Sequence, residues 1–374
     1  MTAEFSKKKS ILFVVDKLNW AYYFIAITLN ENLKAEYDCF VVCEQDYLLK
    51  KAKPSSLFFR TVFNLRQSIL LFKSRLLRQD KSYYFLSKNN YYKVKKTRDF
   101  TINLNSLEKN FDKKHFDFKV EMAYYFQFTS QLPFQAKKNL VGIYTDGYPH
   151  EGPSEDFKNN IPYRELHRKD FFEKYLQKYD GIIVGCDNLK RAYLPFTDKI
   201  QFVYGIYKQQ EFGKNKKTHE TFTIGWTGNP NREMKGFHEV ILPAIEKVRK
   251  TGREIRLKTK FTGTYDELFE FYEDVDLVLI ASRADSGPSL FAEASLSNIP
   301  CVSTAVGLPQ MIIQHDKNGK VINRDIEAFA AAITELYDDR DLLNSFAQNI
   351  KNDYLKIMDN KVTAKGFENF IKKL

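Results

Sequence analysis

Between Phe222 and Ala305 short apolar runs alternate with stretches of helical spacing, and this alternation restricts the fold more tightly than any other feature of the chain. The runs are FTIGWT at 222–227, a strand near 255–261, DLVLIAS at 276–282 and CVSTA at 301–305. Helical spacing separates them at 236–250, 265–273 and LFAEASLS, 290–297. Runs that are apolar throughout, rather than at every second residue, belong to strands buried on both faces. The connections must then be crossover helices, which predicts a parallel sheet covered on both sides.

The first half repeats the architecture without repeating the sequence. SILFVVD (10–16), a helical stretch from Trp20 to Leu33 and DCFVV (38–42) read as a β-α-β opening. Strand-like runs follow at 140–146, 181–185 and 200–205, with a helix-like stretch at 164–178. A single core rarely grows beyond roughly 250 to 300 residues, so 374 residues predict two domains. The polar stretch YKQQEFGKNKKTHET (207–221) is the natural boundary, giving domains at 1–207 and 208–350. Residues 351–374 form a terminal helix that is expected to cross back to the first domain.

Composition excludes several classes. With 43% hydrophobic and 28% charged residues the chain is not largely disordered. No stretch approaches the ~18 to 20 apolar residues of a spanning helix, and the run ILFVV meets Asp16 at once, so a soluble cytoplasmic protein without a cleaved signal is expected. Cys39, Cys43, Cys186 and Cys301 sit in or beside apolar runs, as buried free thiols do.

Charge is concentrated. Residues 50–100 hold fourteen Lys and Arg against Asp80 and Asp99, more than the whole chain's net +11. Within 58–78, Phe58, Val62, Leu65, Ile69, Phe72 and Leu76 fall on one helical face, flanked by Arg60, Arg66, Lys73, Arg75 and Arg78. Such a helix either packs on the first sheet or lies on an anionic bilayer, peripheral on the inner face of the membrane. The lysines and tyrosines of 81–98 also suit nucleic acid, because basic side chains neutralise phosphates and aromatic rings stack on bases.

The segment SRADSGPSLFAEASLSNIPCVSTAVGLPQMI (282–312) carries the chemistry. A strand ends in a Gly-Pro-Ser turn and a helix begins there. Its free amides and positive dipole end, spanning Ser286, Gly287, Pro288, Ser289 and Leu290, would meet a diphosphate. Asp285 on the loop and Glu293 eight residues later supply two carboxylates that accept hydrogen bonds, one from a sugar and the other from ribose.

This segment resembles the Glu-x7-Glu region of the retaining glycosyltransferases of family 4, with Asp285 where the family has its first glutamate. The resemblance implies an α/β GT-B fold, two Rossmann-like doubly wound domains facing an interdomain cleft. It further implies a donor-binding second domain and an acceptor-binding first domain. FTIGWTGNPNREMKGFHEV resembles the loop whose Arg and Lys hold the donor diphosphate, which assigns Gly228, Asn229, Arg232 and Lys235 to donor binding. Arg232 precedes Lys235 by three residues where the family has five. Phe261 to Gly263 correspond to the base-contacting loop, and Asp16, Asn19 and Trp20 lie on the acceptor side. Asp146 and His150 lie where the family often has a histidine facing the donor sugar.

Lys235, Asp285, Glu293, Asp146 and His150 are therefore the expected catalytic set. The implied activity is transfer of a hexosyl or pentosyl unit, with retention, from a UDP- or GDP-sugar to a glycan or lipid-linked acceptor in cell-surface polysaccharide synthesis. Retaining transfer of this kind lets the departing phosphate help take the acceptor proton. No essential metal and no further cofactor is expected, since Lys235 and a helix N-terminus fill a cation's role. The triplets Asp274–Asp276 and Asp339–Asp341 do not fall at the donor end. Two alternatives remain open: a transferase acting on modified DNA bases, and a nucleotide- or glycan-binding chain without transfer.

Overall fold

The computed structural model describes residues 8–16, 20–43, 81–86, 91–96, 115–124, 126–129, 134–144 and 168–374. The strands are β1 (Lys9–Val15), β2 (Tyr37–Cys43), β3 (Lys81–Leu86), β4 (Tyr91–Lys96), β5 (His115–Glu121), β6 (Gln135–Ile143), β7 (Gly181–Val184), β8 (Ile200–Phe202), β9 (Phe222–Thr227), β10 (Ile255–Lys260), β11 (Leu277–Ile280), β12 (Cys301–Ser303) and β13 (Gly319–Val321). The principal helices are α1 (Ala21–Leu33), α2 (Asp187–Tyr193), α3 (Leu242–Arg249), α4 (Glu267–Phe271), α5 (Ser289–Leu296), α6 (Gly307–Ile312), α7 (Ile326–Asp338), α8 (Arg340–Met358) and α9 (Asn360–Lys373).

Two sheets organise these elements. One has six strands in the order β2-β1-β5-β6-β7-β8 and the other five in the order β10-β9-β11-β12-β13. The pairings of β1 with β2 and β5, and those of β9, β10, β11, β12 and β13 with one another, are parallel. β3 and β4 form a separate antiparallel pair. The chain divides into two compact units: Met1–Ile143 with Lys174–Ile183 and Lys372–Leu374, and Tyr144–Glu173 with Val184–Ile371.

The apolar runs do what their composition demands. Ile11 to Val15 and Leu277 to Leu279 have no exposed surface, so these strands are covered on both faces. Helices α7 and α8 each start on an aspartate, with Ala328 N–H donating to Asp325 at 2.8 Å and Leu342 N–H to Asp339 at 2.8 Å. Each cap satisfies an otherwise unpaired amide. Cys39, Cys186 and Cys301 are buried free thiols, and burial pushes Cys39 up to about 12.

Several elements depart from the sequence reading. The 236–250 helix opens with a π turn at Phe237–Ile241 and turns α only at Leu242, because Pro243 has no N–H to return to the previous turn. The 265–273 helix tightens into a 3-10 turn at Tyr272–Asp274. The strand expected over 200–205 ends at Phe202, and the one expected over 140–146 ends at Ile143. Residues 58–78 lie outside the described residues.

Candidate active site

In both sheets the chain places its second strand on one side of the first and its next strand on the other. Ligands of open α/β sheets bind outside the carboxyl ends of the strands at such a switch. In the five-stranded sheet that position is bounded by the loops after β9 and β11. The two loops are stitched together: Arg283 N–H donates to the Met234 carbonyl at 2.8 Å, and Arg324 Nε donates to the Ala281 carbonyl at 2.8 Å. A second Arg324 nitrogen reaches Glu239 at 2.7 Å.

The loop after β9 begins at Gly228, whose φ is 134°. Asn229 closes a turn, its Oδ1 accepting from Asn231 N–H at 3.0 Å. Arg232 is exposed, with one guanidinium nitrogen 3.1 Å from Met234 Sδ. A 3-10 turn, Glu233–Lys235, then delivers Lys235, and Gly236 follows at φ 69°. A Cβ at Gly236 would lie 2.5 Å from the Ala281 carbonyl oxygen. Only glycine suits both the left-handed backbone and that approach.

Lys235 Nζ forms an ion pair with Asp285, fifty residues away, across the ends of β9 and β11. Asp285 is nearly buried, its side chain 12% exposed. The backbone beside it is clamped by the loop after β12. Leu308 N–H donates to the Ser286 carbonyl at 2.9 Å, and a Cβ on Gly307 would fall 2.0 Å from that oxygen.

Ser286 is buried and its Oγ donates to the Tyr144 carbonyl. Tyr204 donates to the Gly287 carbonyl at 2.9 Å and also hydrogen-bonds Ser289. Pro288 is the N-cap of α5 in extended conformation and offers no side-chain cap; its carbonyl accepts from the Phe291 N–H at 2.9 Å, which leaves the Ser289 and Leu290 amides uncapped by it at the helix end. Leu290 is buried in the first turn.

Glu293 lies one turn into α5 and is not a solvated helix residue. It is 4% exposed, and its Oε2 accepts a hydrogen bond from the Tyr272 hydroxyl at 2.7 Å. Burial pushes its pKa up to about 7, opposed by the Tyr272 hydrogen bond. The group thus changes charge in the neutral range, as functional carboxylates often do.

Around this centre Phe261, 46% exposed, follows β10 and packs its ring against Trp226 at 6.0 Å and Phe237 at 5.7 Å. Neither aspartate triplet is at the carboxyl end of the sheet. Asp274 is held by Lys258 and by Arg256 at 2.6 Å, and Asp276 accepts from Thr223 N–H at 2.8 Å before β11 starts. Asp339 is the α8 cap. Among the described residues no group of three or more His, Cys, Asp or Glu side chains is arranged to hold a metal ion.

The structure therefore brings Lys235, Asp285, Ser286 to Leu290 and Glu293 to one end of one sheet. In the other unit Asp16 follows the carboxyl end of β1, and Trp20, 54% exposed, immediately precedes α1. Asn19, Asp146 and His150 lie outside the described residues, and 81–98 is described only as the β3–β4 backbone. Among the described residues no helix is long and apolar enough to cross a membrane. Tyr272, Tyr204 and Arg324 were missed in the sequence. Each reaches the site from a remote segment, and nothing in its local pattern distinguishes it from a core aromatic or a surface cation.

Comparison with known proteins bears on the fold. Residues 221–339 match the family model described as Glycosyl transferases group 1. No curated protein matches significantly. Among solved structures, the chain is similar to a point mutant of S. aureus TarM in complex with fondaparinux, α-GlcNAc-glycerol and UDP. The identity is 14%, the coverage 97% of this chain and 99% of that one, and the TM-score 0.61. It is similar to the sucrose-phosphate synthase of Thermosynechococcus elongatus at 10% identity, 98% and 99% coverage and TM-score 0.61. The pneumococcal O-GlcNAc transferase GtfA in complex with UDP and GlcNAc is similar at 13% identity, 98% and 99% coverage and TM-score 0.58. The fold is thus that of the GT-B glycosyltransferases, and the match to the group 1 glycosyltransferase model spans residues 221–339.

Proposed function

We propose that the chain transfers a sugar from a nucleoside diphosphate sugar, with UDP the leading nucleotide, to a glycan or lipid-linked acceptor with retention of configuration. The observation that carries this reading is the junction of Lys235 with Asp285 at the carboxyl ends of β9 and β11, directly beside the open amides of α5 and eight residues before Glu293. A diphosphate entering there competes with Asp285 for the Lys235 ammonium. Lys235 and the α5 amides then stabilise the negative charge that grows on the leaving diphosphate, the device that lowers the barrier. Asp285, released from its partner, accepts from donor-sugar hydroxyls, and Glu293 accepts from ribose. TarM and GtfA, whose solved complexes contain UDP, support the choice of nucleotide.

The cation's role is taken by Lys235 and a helix end, so transfer should survive EDTA. The basic stretch 58–98 supports an acceptor presented at an anionic membrane surface, which cosedimentation with anionic vesicles would test. The primary experiment is a thermal-shift comparison of UDP, GDP, ADP, CMP and dTDP. A nucleotide that binds only the folded chain raises the melting temperature. A shift with UDP that is lost in Glu293→Ala supports the site; no shift with any nucleotide overturns it. Retention is read from the anomeric proton of the product by NMR.

A further inference from the structure

We infer that Tyr272 is a positioning residue for the nucleotide-binding carboxylate, fixing one oxygen of Glu293 so that the other is presented to the ribose. The inference rests on the donor-site reading above and names a residue that neither motif contains.

Tyr272 is 2% exposed and comes from the 3-10 turn before β11, 21 residues upstream of Glu293. Its hydroxyl has a single proton, and at 2.7 Å from Glu293 Oε2 that proton is given to the carboxylate. The phenol oxygen retains acceptor capacity, and Thr227 Oγ1 lies 3.5 Å away to fill it. Thr227 is the last residue of β9, immediately before Gly228. The chain Thr227–Tyr272–Glu293 therefore ties the start of the diphosphate loop to the acid on α5.

The surroundings explain why a fixed donor matters. The other ionisable side chains acting in the cluster are Tyr204 after β8, Tyr265 before α4, Cys301 on β12 and Tyr354 on α8, each held neutral by burial, and Asp285, which is paired with Lys235 and acts on Tyr204. Among the described residues Tyr272 is the group that favours the ionised form of Glu293 against its desolvation. Only the ionised form offers its free oxygen purely as an acceptor to a ribose hydroxyl. The hydroxyl of Tyr354 supplies a control, being buried without a hydrogen-bond partner, with its ring 6.2 Å from that of Phe291.

The test is UDP affinity by calorimetry from pH 6.5 to 9 for the full chain, Tyr272→Phe and Tyr354→Phe. Comparing midpoints between variants cancels the titration of UDP itself. In the wild type, affinity should rise through the neutral range as Glu293 ionises. Tyr272→Phe keeps the ring and its packing but should lose roughly fivefold or more at pH 7, move the midpoint to higher pH and recover toward wild type at pH 9. Tyr354→Phe should leave the midpoint in place. A Tyr272→Phe affinity reduced by one constant factor at every pH, or not reduced, overturns the positioning role while leaving the donor site intact. A wild-type chain that binds no UDP, or binds it equally after Glu293→Gln, overturns the donor-site reading and this inference together. A melting curve of Tyr272→Phe without nucleotide confirms that the variant is folded.

Discussion

Replacing Glu293 by Gln tests the burial of the site acid without any ligand. In the folded chain its pKa is pushed up to about 7 from the ordinary 4.5, and burial is the cause. A carboxyl whose folded pKa lies above its unfolded value binds more protons in the folded state between the two. Its contribution to stability is full below the unfolded pKa and is lost as pH rises through the folded one. One pKa unit corresponds to about 1.4 kcal/mol, so the loss between pH 5 and pH 8 is about 2.5 kcal/mol. Glu293→Gln keeps the shape and still accepts from Tyr272 but does not titrate. Subtracting its unfolding free energy from that of the wild type cancels every other titrating group. Urea denaturation at half-unit steps should therefore show the wild type losing about 2.5 kcal/mol relative to the variant over this range, and no more above pH 8. A difference constant to within about 0.5 kcal/mol would refute the reasoning and place the carboxylate in water.

Lys235→Ala removes the charge assigned to the leaving diphosphate and should lower kcat about 100- to 1,000-fold, the scale of losing one preorganised electrostatic partner; a normal kcat would remove Lys235 from the mechanism. Asp339→Ala should cost about 1 kcal/mol by uncapping α8 while leaving the UDP thermal shift unchanged; loss of nucleotide binding would show that this triplet does more than cap a helix. Gly236→Ala puts a Cβ 2.5 Å from the Ala281 carbonyl at a φ of 69°. It should lower both the melting temperature and the UDP shift, and unchanged values would refute the account of how Lys235 is delivered.

Much of the fold is legible because its signals are local. A continuously apolar run such as ILFVV or LVLI states by itself that both faces of its strand are covered, and the intervening helical spacing states how the next strand is reached. The open N-terminus of α5 was legible for the same reason, since Gly-Pro-Ser after a strand sets a turn and a helix start within a few residues. The irregular pieces were less so. The π turn before Pro243 and the 3-10 turn at Tyr272 follow from how those segments finish against neighbours, and helical spacing reads through both.

The sequence by itself determined two parallel sheets, the carboxyl-end loops and the spacing of Asp285 and Glu293. Tertiary structure alone decided what those acids touch. Asp285 meets Lys235 because β9 and β11 are neighbours in the sheet, although fifty residues separate the two side chains. Glu293 titrates near neutrality because the packed sheet and helices bury it, Tyr272 opposes that shift by donating to it from a remote turn, and Arg324 clamps two loops from beyond β13. Strand and helix periodicity records which face of a segment is covered. It carries no record of which distant residue covers it, and the chemistry of this site is set by those distant partners.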